Sequence, residues 1–415
     1  MSRVRVPSIP PHINSTMADK TALAESSQAL FCAIADFLGE RKSDKVLDVK
    51  QYLTYTDFKR AVGENVVSQA EKRIRTPGVS LSAIESFLGK NNDWYKSSVL
   101  IAKKLIKDIG GVDADFKIKQ EGFQNLFYLR GDQEVMGNIE KLFKIANKSP
   151  ITVKNQVKFG NVNKWSPADI YLATANARSK IAQTVTKAKP KSYSFIDLNI
   201  LTSNLIDSGD LLPLSLKKTT KDVQLQKVNF DKKDEIKALE KISLSPKVVT
   251  NWQPYVKVPF GKKGETRDMQ AFLNNGGKIK FRHDPSAKRF VAEFIGGSGA
   301  EARGGSIGSV KLFCELMSFV DKETSNKILK EYQDGEKQYI VDLKLIENLR
   351  AQDKKLFDHE RGAISAINIV NRVMPILKQW FTTTDKKKVD AFIRIIFQYI
   401  TSRTPLSGKF VIAKG

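Results

Sequence analysis

Two short stretches carry residue types suited to chemistry on a phosphodiester. KWSPADIYLA at 164–173 puts Asp169 at the head of an apolar run. LLPLSLKK at 211–218 ends a second apolar run in Ser215, Lys217 and Lys218. A carboxylate can hold a divalent cation that offsets charge in phosphoryl transfer. An ammonium can orient water or neutralise developing charge. Convergence requires the groups to come from neighbouring strands. Period-two alternation places Ser215 and Lys217 on one face, and Leu214, Leu216 and Lys218 on the other. The competing reading is a strand whose lysines simply run out into solvent.

The chain has 415 residues, with 69 Lys and Arg against 45 Asp and Glu, a formal net charge of +24. That excess points to polyanionic partners, DNA before RNA, since neither RRM aromatics nor a KH loop is evident. With 41% hydrophobic residues and 23 Phe, a substantial core is expected. Cys32 and Cys314 sit in apolar helical patterns and read as free buried thiols. His12, His283 and His359 are too scattered for a histidine-based zinc site. No apolar run is long enough to span a bilayer, so membrane insertion is not expected. MSRVRVPSIPPHINST lacks an apolar stretch after its arginines and does not read as a secretory signal.

Four regions are expected. Residues 1–20 read as a flexible basic arm and 21–115 as a helical region. Residues 116–308 read as an α/β core with a helical insertion and a basic hairpin, and 309–415 as a second helical region. Between 134 and 230 the expected order is helix, strand, strand, helix, helix, strand, strand, with a strand at ITVKNQVKFG and a glycine-ended helix at LNILTSNLIDSG. GKIKFRHDPSAKRFVAEFIG at 277–296 reads as a hairpin. Its Lys278, Lys280 and Arg282 alternate onto one face, with Lys288 and Arg289 close by, as a stripe that could track a phosphate backbone. Arg303, in the glycine-rich GGSGAEARGGSIG that follows, could complete a phosphate clamp. A flexible surface loop is the other reading of that segment. Trp165 is a candidate for base stacking or for the core. The basic C-terminus, ITSRTPLSGKFVIAKG, reads as a tail strand or an attachment arm.

PADI at 167–170 and SLK at 215–217 together resemble the PD-(D/E)XK restriction-endonuclease-like superfamily, and SLKK resembles variants in poorly characterised phage proteins. The resemblance covers roughly residues 134–230. It implies a restriction-endonuclease-like mixed-sheet core flanked by helices, with Asp169 as a metal ligand and Lys217 as the catalytic lysine. Ser215 falls where the family carries an acid, and a serine brings no charge. Glu140 on the preceding helix is the residue expected to complete the catalytic and metal set, with Glu134 as the other option. The implied function is DNA binding, with Mg²⁺-dependent phosphodiester hydrolysis if the site is active. The alternative is a phage virion protein whose degenerate nuclease-like core serves as scaffold or DNA contact among other virion subunits. The implied locations are the host cytoplasm and the phage virion.

Overall fold

The computed structural model describes residues 19–110, 126–151, 156–250, 252–262, 268–284, 289–296 and 305–415. Polar caps start many of its helices. Asp19 caps Lys20–Val46, Thr54 caps Tyr55–Val62, Ser80 caps Leu81–Lys90, and Ser194 with Asp197 forms a capping box on Phe195–Asp207. Glycine breaks what the pattern of 55–72 suggests as one helix. Gly63 lies at φ 86°, which a residue with a Cβ rarely adopts, and Glu64–Glu71 begins as a separate helix.

The result is a mixed α/β architecture with two sheets flanked by helices. The strands are β1 (Ile74–Arg75), β2 (Leu126–Leu129), β3 (Ile170–Thr174), β4 (Leu211–Leu216), β5 (Gln224–Val228), β6 (Leu244–Thr250), β7 (Met269–Leu273), β8 (Lys278–Asp284), β9 (Arg289–Ile295), β10 (Ser306–Ile307) and β11 (Phe410–Lys414). The first sheet has the order β1-β2-β3-β4-β11-β5, the second β10-β9-β8-β7-β6. In the first, β2, β3 and β4 form an antiparallel meander. β11 then lies parallel to β4 and antiparallel to β5.

Alternation divides the first sheet between two cores. Ile170, Leu172, Leu212, Leu214, Val411 and Ala413 pack against the N-terminal helices, around Phe31, Phe58 and Tyr95. Tyr171, Ala173 and Leu211 face the other way, toward Ile139, Phe143, Ile181 and Leu198. The second sheet joins that same core. Phe281, Phe290 and Phe294 meet Phe313, Phe381, Phe392 and Phe397 of the C-terminal helices, with Phe294 edge-on to Phe397 at 4.9 Å. Cys32 and Cys314 are free and buried.

One expected strand differs. Residues 152–155 of ITVKNQVKFG lie outside the described residues, and 156–160 make no ladder. Val157 and Phe159 are buried without a partner strand, and Gly160 N–H donates to the Tyr399 hydroxyl at 2.9 Å. Docking of side chains onto aromatic rings replaces sheet pairing there. The C-terminus supplies the opposite case, because ITSRTPLSGKFVIAKG ends in β11, between β4 and β5.

Asn229 fixes the approach to β11. It adopts a left-handed conformation at φ 63° and donates to the carbonyls of Ser402 and Gly408, at 2.8 and 2.7 Å, in a buried setting. Asn tolerates that conformation better than Ala, and each orphaned buried carbonyl costs about 1–3 kcal/mol. Asn229→Ala is expected to lower unfolding free energy by about 2–4 kcal/mol in denaturant titration. Asn229→Gly, which relieves only the backbone, should recover the smaller part. A change below about 0.5 kcal/mol would remove Asn229 from this role.

Candidate functional site

The edge formed by the head of β3 and the tail of β4 brings Asp169, Ser215 and Lys217 together. Asp169 stands one residue before β3, and its N–H donates to Leu214 O at 2.7 Å. Its carboxylate turns along β4. Oδ2 accepts from Leu216 N–H at 2.6 Å and from the Ser215 hydroxyl at 3.3 Å. Lys217 is held one step further on, where its N–H donates to Ala413 O of β11 at 2.9 Å. Its exposed side chain adds positive potential at Asp169. The expected alternation holds for the next residue too. Lys218 turns to the opposite face, pairs with Asp93 and lies over the Trp94 ring at 5.3 Å.

Burial raises the Asp169 carboxyl above its ordinary value. Lys217, the Leu216 N–H, the Ser215 hydroxyl and Arg130 oppose that rise. The second carboxylate near this point is Glu25, from the helix Lys20–Val46, a residue the motif does not indicate. Arg130, just past β2, donates Nε–H to Glu25 Oε2 at 2.8 Å. Burial raises Glu25 as well, Arg130 lowers it, and the charge of Asp169 raises it further. A guanidinium is therefore shared electrostatically by two half-buried carboxylates. The sequence held a signal for Glu25, since it is the one charged residue in TALAESSQALFCAIA.

Glu140 is placed differently from the expectation. It ion-pairs with Lys144 at 2.7 Å on its own helix and is about half exposed. It lines a separate crevice of about 120 Å³ with Asp132, Ser166, Ala168 and Tyr171. Glu134 is paired with Arg178. One-turn spacing on a solvent-facing helix gives Glu140 a nearer cation than the sheet edge offers. The donor set suits a preformed Mg²⁺ site poorly. Ser215 is neutral, Glu25 is tied to Arg130, and no group of three or more His, Cys, Asp or Glu suited to a metal occurs among the described residues.

The basic stripe forms with its expected facing but is internally neutralised. Ile279, Phe281 and His283 point inward, and Lys278, Lys280 and Arg282 point to the half-exposed face. Lys280 pairs with Asp268 at 2.6 Å, Arg282 reaches Glu293 at 3.0 Å, and Lys278 lies over the Phe272 ring. Arg289 packs against Gly308. Lys288 and Arg303 lie outside the described residues. Trp165 belongs to the core at 1% exposure, its indole N–H donating to Asn199 Oδ1 at 3.0 Å.

Comparison with known proteins finds no matching family model, curated protein or solved structure.

The burial of Asp169 has a measurable sign. A carboxyl raised in the folded state binds its proton more tightly there than in the unfolded chain. Its charging therefore costs nothing below the unfolded value near 3.8 and costs in full above the raised one. Asp169→Asn keeps an acceptor for the Leu216 N–H. It is expected to raise the melting temperature at pH 7 by on the order of a few degrees and to change it little near pH 3.5. A loss of stability at pH 7 would show that the carboxylate is held favourably.

Proposed function

We propose that this chain is a DNA-binding protein built on a restriction-endonuclease-like core, in which the Asp169–Lys217 edge contacts the phosphate backbone. The observation that carries the reading is the convergence of Asp169, Ser215 and Lys217 at the shared end of the neighbouring strands β3 and β4, from residues far apart in sequence. The meander β2-β3-β4 with β11 parallel to β4 supports the core assignment. The net charge of +24 supports the choice of a polyanion. Ser215 in the acid position and the Arg130–Glu25 pair favour binding over hydrolysis, since both reduce the negative charge available to a cation. No metal-dependent step is assigned to these residues.

Backbone contacts of this kind are independent of sequence and sensitive to salt. Fluorescence anisotropy on single-stranded and duplex DNA across a salt series should show log affinity falling linearly with log salt. Lys217→Ala should weaken binding uniformly across sequences and reduce the slope for duplex by about one. Absence of binding to either form would reject the reading. A parallel incubation in Mg²⁺ or Mn²⁺ should leave DNA uncut. Cleavage that Asp169→Asn abolishes would overturn the assignment of binding without hydrolysis.

A further inference from the structure

Behind the Asp169 edge lies a cavity of about 340 Å³, bounded by the tails of β4 and β5, by β11 and β9, and by the turns at 161–167 and 400–403. Ser215 and Lys217 open into it from β4. Lys164 and Arg403 bring two further cationic side chains, and Phe294 and Phe410 give it an apolar wall. The volume is several times what a bare phosphate needs and falls at the lower end for pockets that hold organic ligands.

Lys164 is the unusual member. Among the described residues, its ammonium makes no ion pair and no hydrogen bond. It is half-buried beside the bare Cα of Gly305, where a Cβ would come within 2.6 Å of Nζ and of the Ile400 carbonyl. A desolvated cation without a counter-ion is costly. Burial alone lowers Lys164 to about 8. Lys217 likewise lacks an ion pair within salt-bridge distance among the described residues, although its charge is felt at Asp169, so two cations on one cavity have no paired carboxylate among the described residues. Such an arrangement is complementary to a group with two negative charges.

We propose that this cavity is a subsite for a single nucleotide bearing a terminal phosphate, with Lys164 and Lys217 contacting the phosphate and the Phe294–Phe410 wall receiving the base or sugar. The inference rests on the DNA-binding reading only in taking that nucleotide to be the end of a strand. The same chemistry is offered by a free nucleoside monophosphate, and the experiment separates the two sources.

The test is anisotropy with short DNA strands ending in phosphate or in hydroxyl at each end in turn, with deoxythymidine monophosphate as competitor. A preference for one phosphorylated end of roughly tenfold or more is expected, the range for hydrogen bonds to charged groups. Lys164→Met should erase the preference and Lys164→Arg should retain most of it. The preference should also fade as pH rises past about 8, where Lys164 loses its proton. Equal binding of all ends, with no competition by the monophosphate, would overturn the subsite even if salt-sensitive DNA binding persists. Lys164-dependent binding of the monophosphate without DNA binding would keep the pocket and reject the strand as its source. A preference that survives Lys164→Met would place phosphate recognition elsewhere and also overturn the proposal.

Discussion

The hydrogen bonds of β11 are the constraint on which the rest depends. They join β4 to β5, and one of them, from Lys217 N–H to Ala413 O, sets where Lys217 leaves the sheet. Without β11, β4 would be an edge, and Val411 and Ala413 would be missing from the core shared with the N-terminal helices. Phe410 and Ile412, on the other face, would be missing from the cavity wall. A five-residue strand thus ties together the sheet, the position of Lys217 and the floor of the pocket. Asn229 secures its approach by donating to the carbonyls of Ser402 and Gly408.

The chemistry at the edge reflects a balance of burial against charge. Asp169 is buried enough for its carboxyl to rise, yet an N–H and a hydroxyl hold it in one orientation. Glu25 is in the same condition and shares Arg130 with it. A further carboxylate in place of Ser215 would meet Asp169, a neighbour of like sign, in a poorly solvated place. Serine avoids that repulsion and donates a hydrogen bond instead. The same substitution that weakens the case for a metal thus fits the other groups around it.

Sequence reasoning reached local features well and distant pairings poorly. The facing of Ser215, Lys217 and Lys218 followed from alternation, because a strand has only two faces. The glycine end of the 195–207 helix, where Gly209 takes φ 74°, followed from backbone chemistry. The pairing of β11 with β4 joins residues about two hundred positions apart, and no local pattern in the run KFVIAK specifies a partner. Glu140 was expected as the missing acid because it stands on the helix before the core, where the resembled family often carries one, whereas Glu25 approaches Asp169 from the N-terminal helix. The stripe on β8 was legible as a stripe, but the pairing of Lys280 with Asp268 and of Arg282 with Glu293 comes from carboxylates on neighbouring segments that spacing along β8 does not reveal. Trp165 was open to two readings, and its burial at 1% exposure places it in the core, where its indole N–H donates to Asn199.

The lone ammonium of Lys164 also has a consequence for reactivity. An amine whose proton leaves at about 8 is unprotonated in roughly a tenth of molecules at pH 7, far more than an ordinary lysine. Lys232 is lowered to the same value, but its Nζ donates to the carbonyls of Pro405 and Ser407, which hold it in place. Lys164 has no such tether among the described residues and opens onto a cavity. In its neutral form its lone pair makes it a nucleophile, and acylating reagents small enough to enter are expected to modify it ahead of the surface lysines.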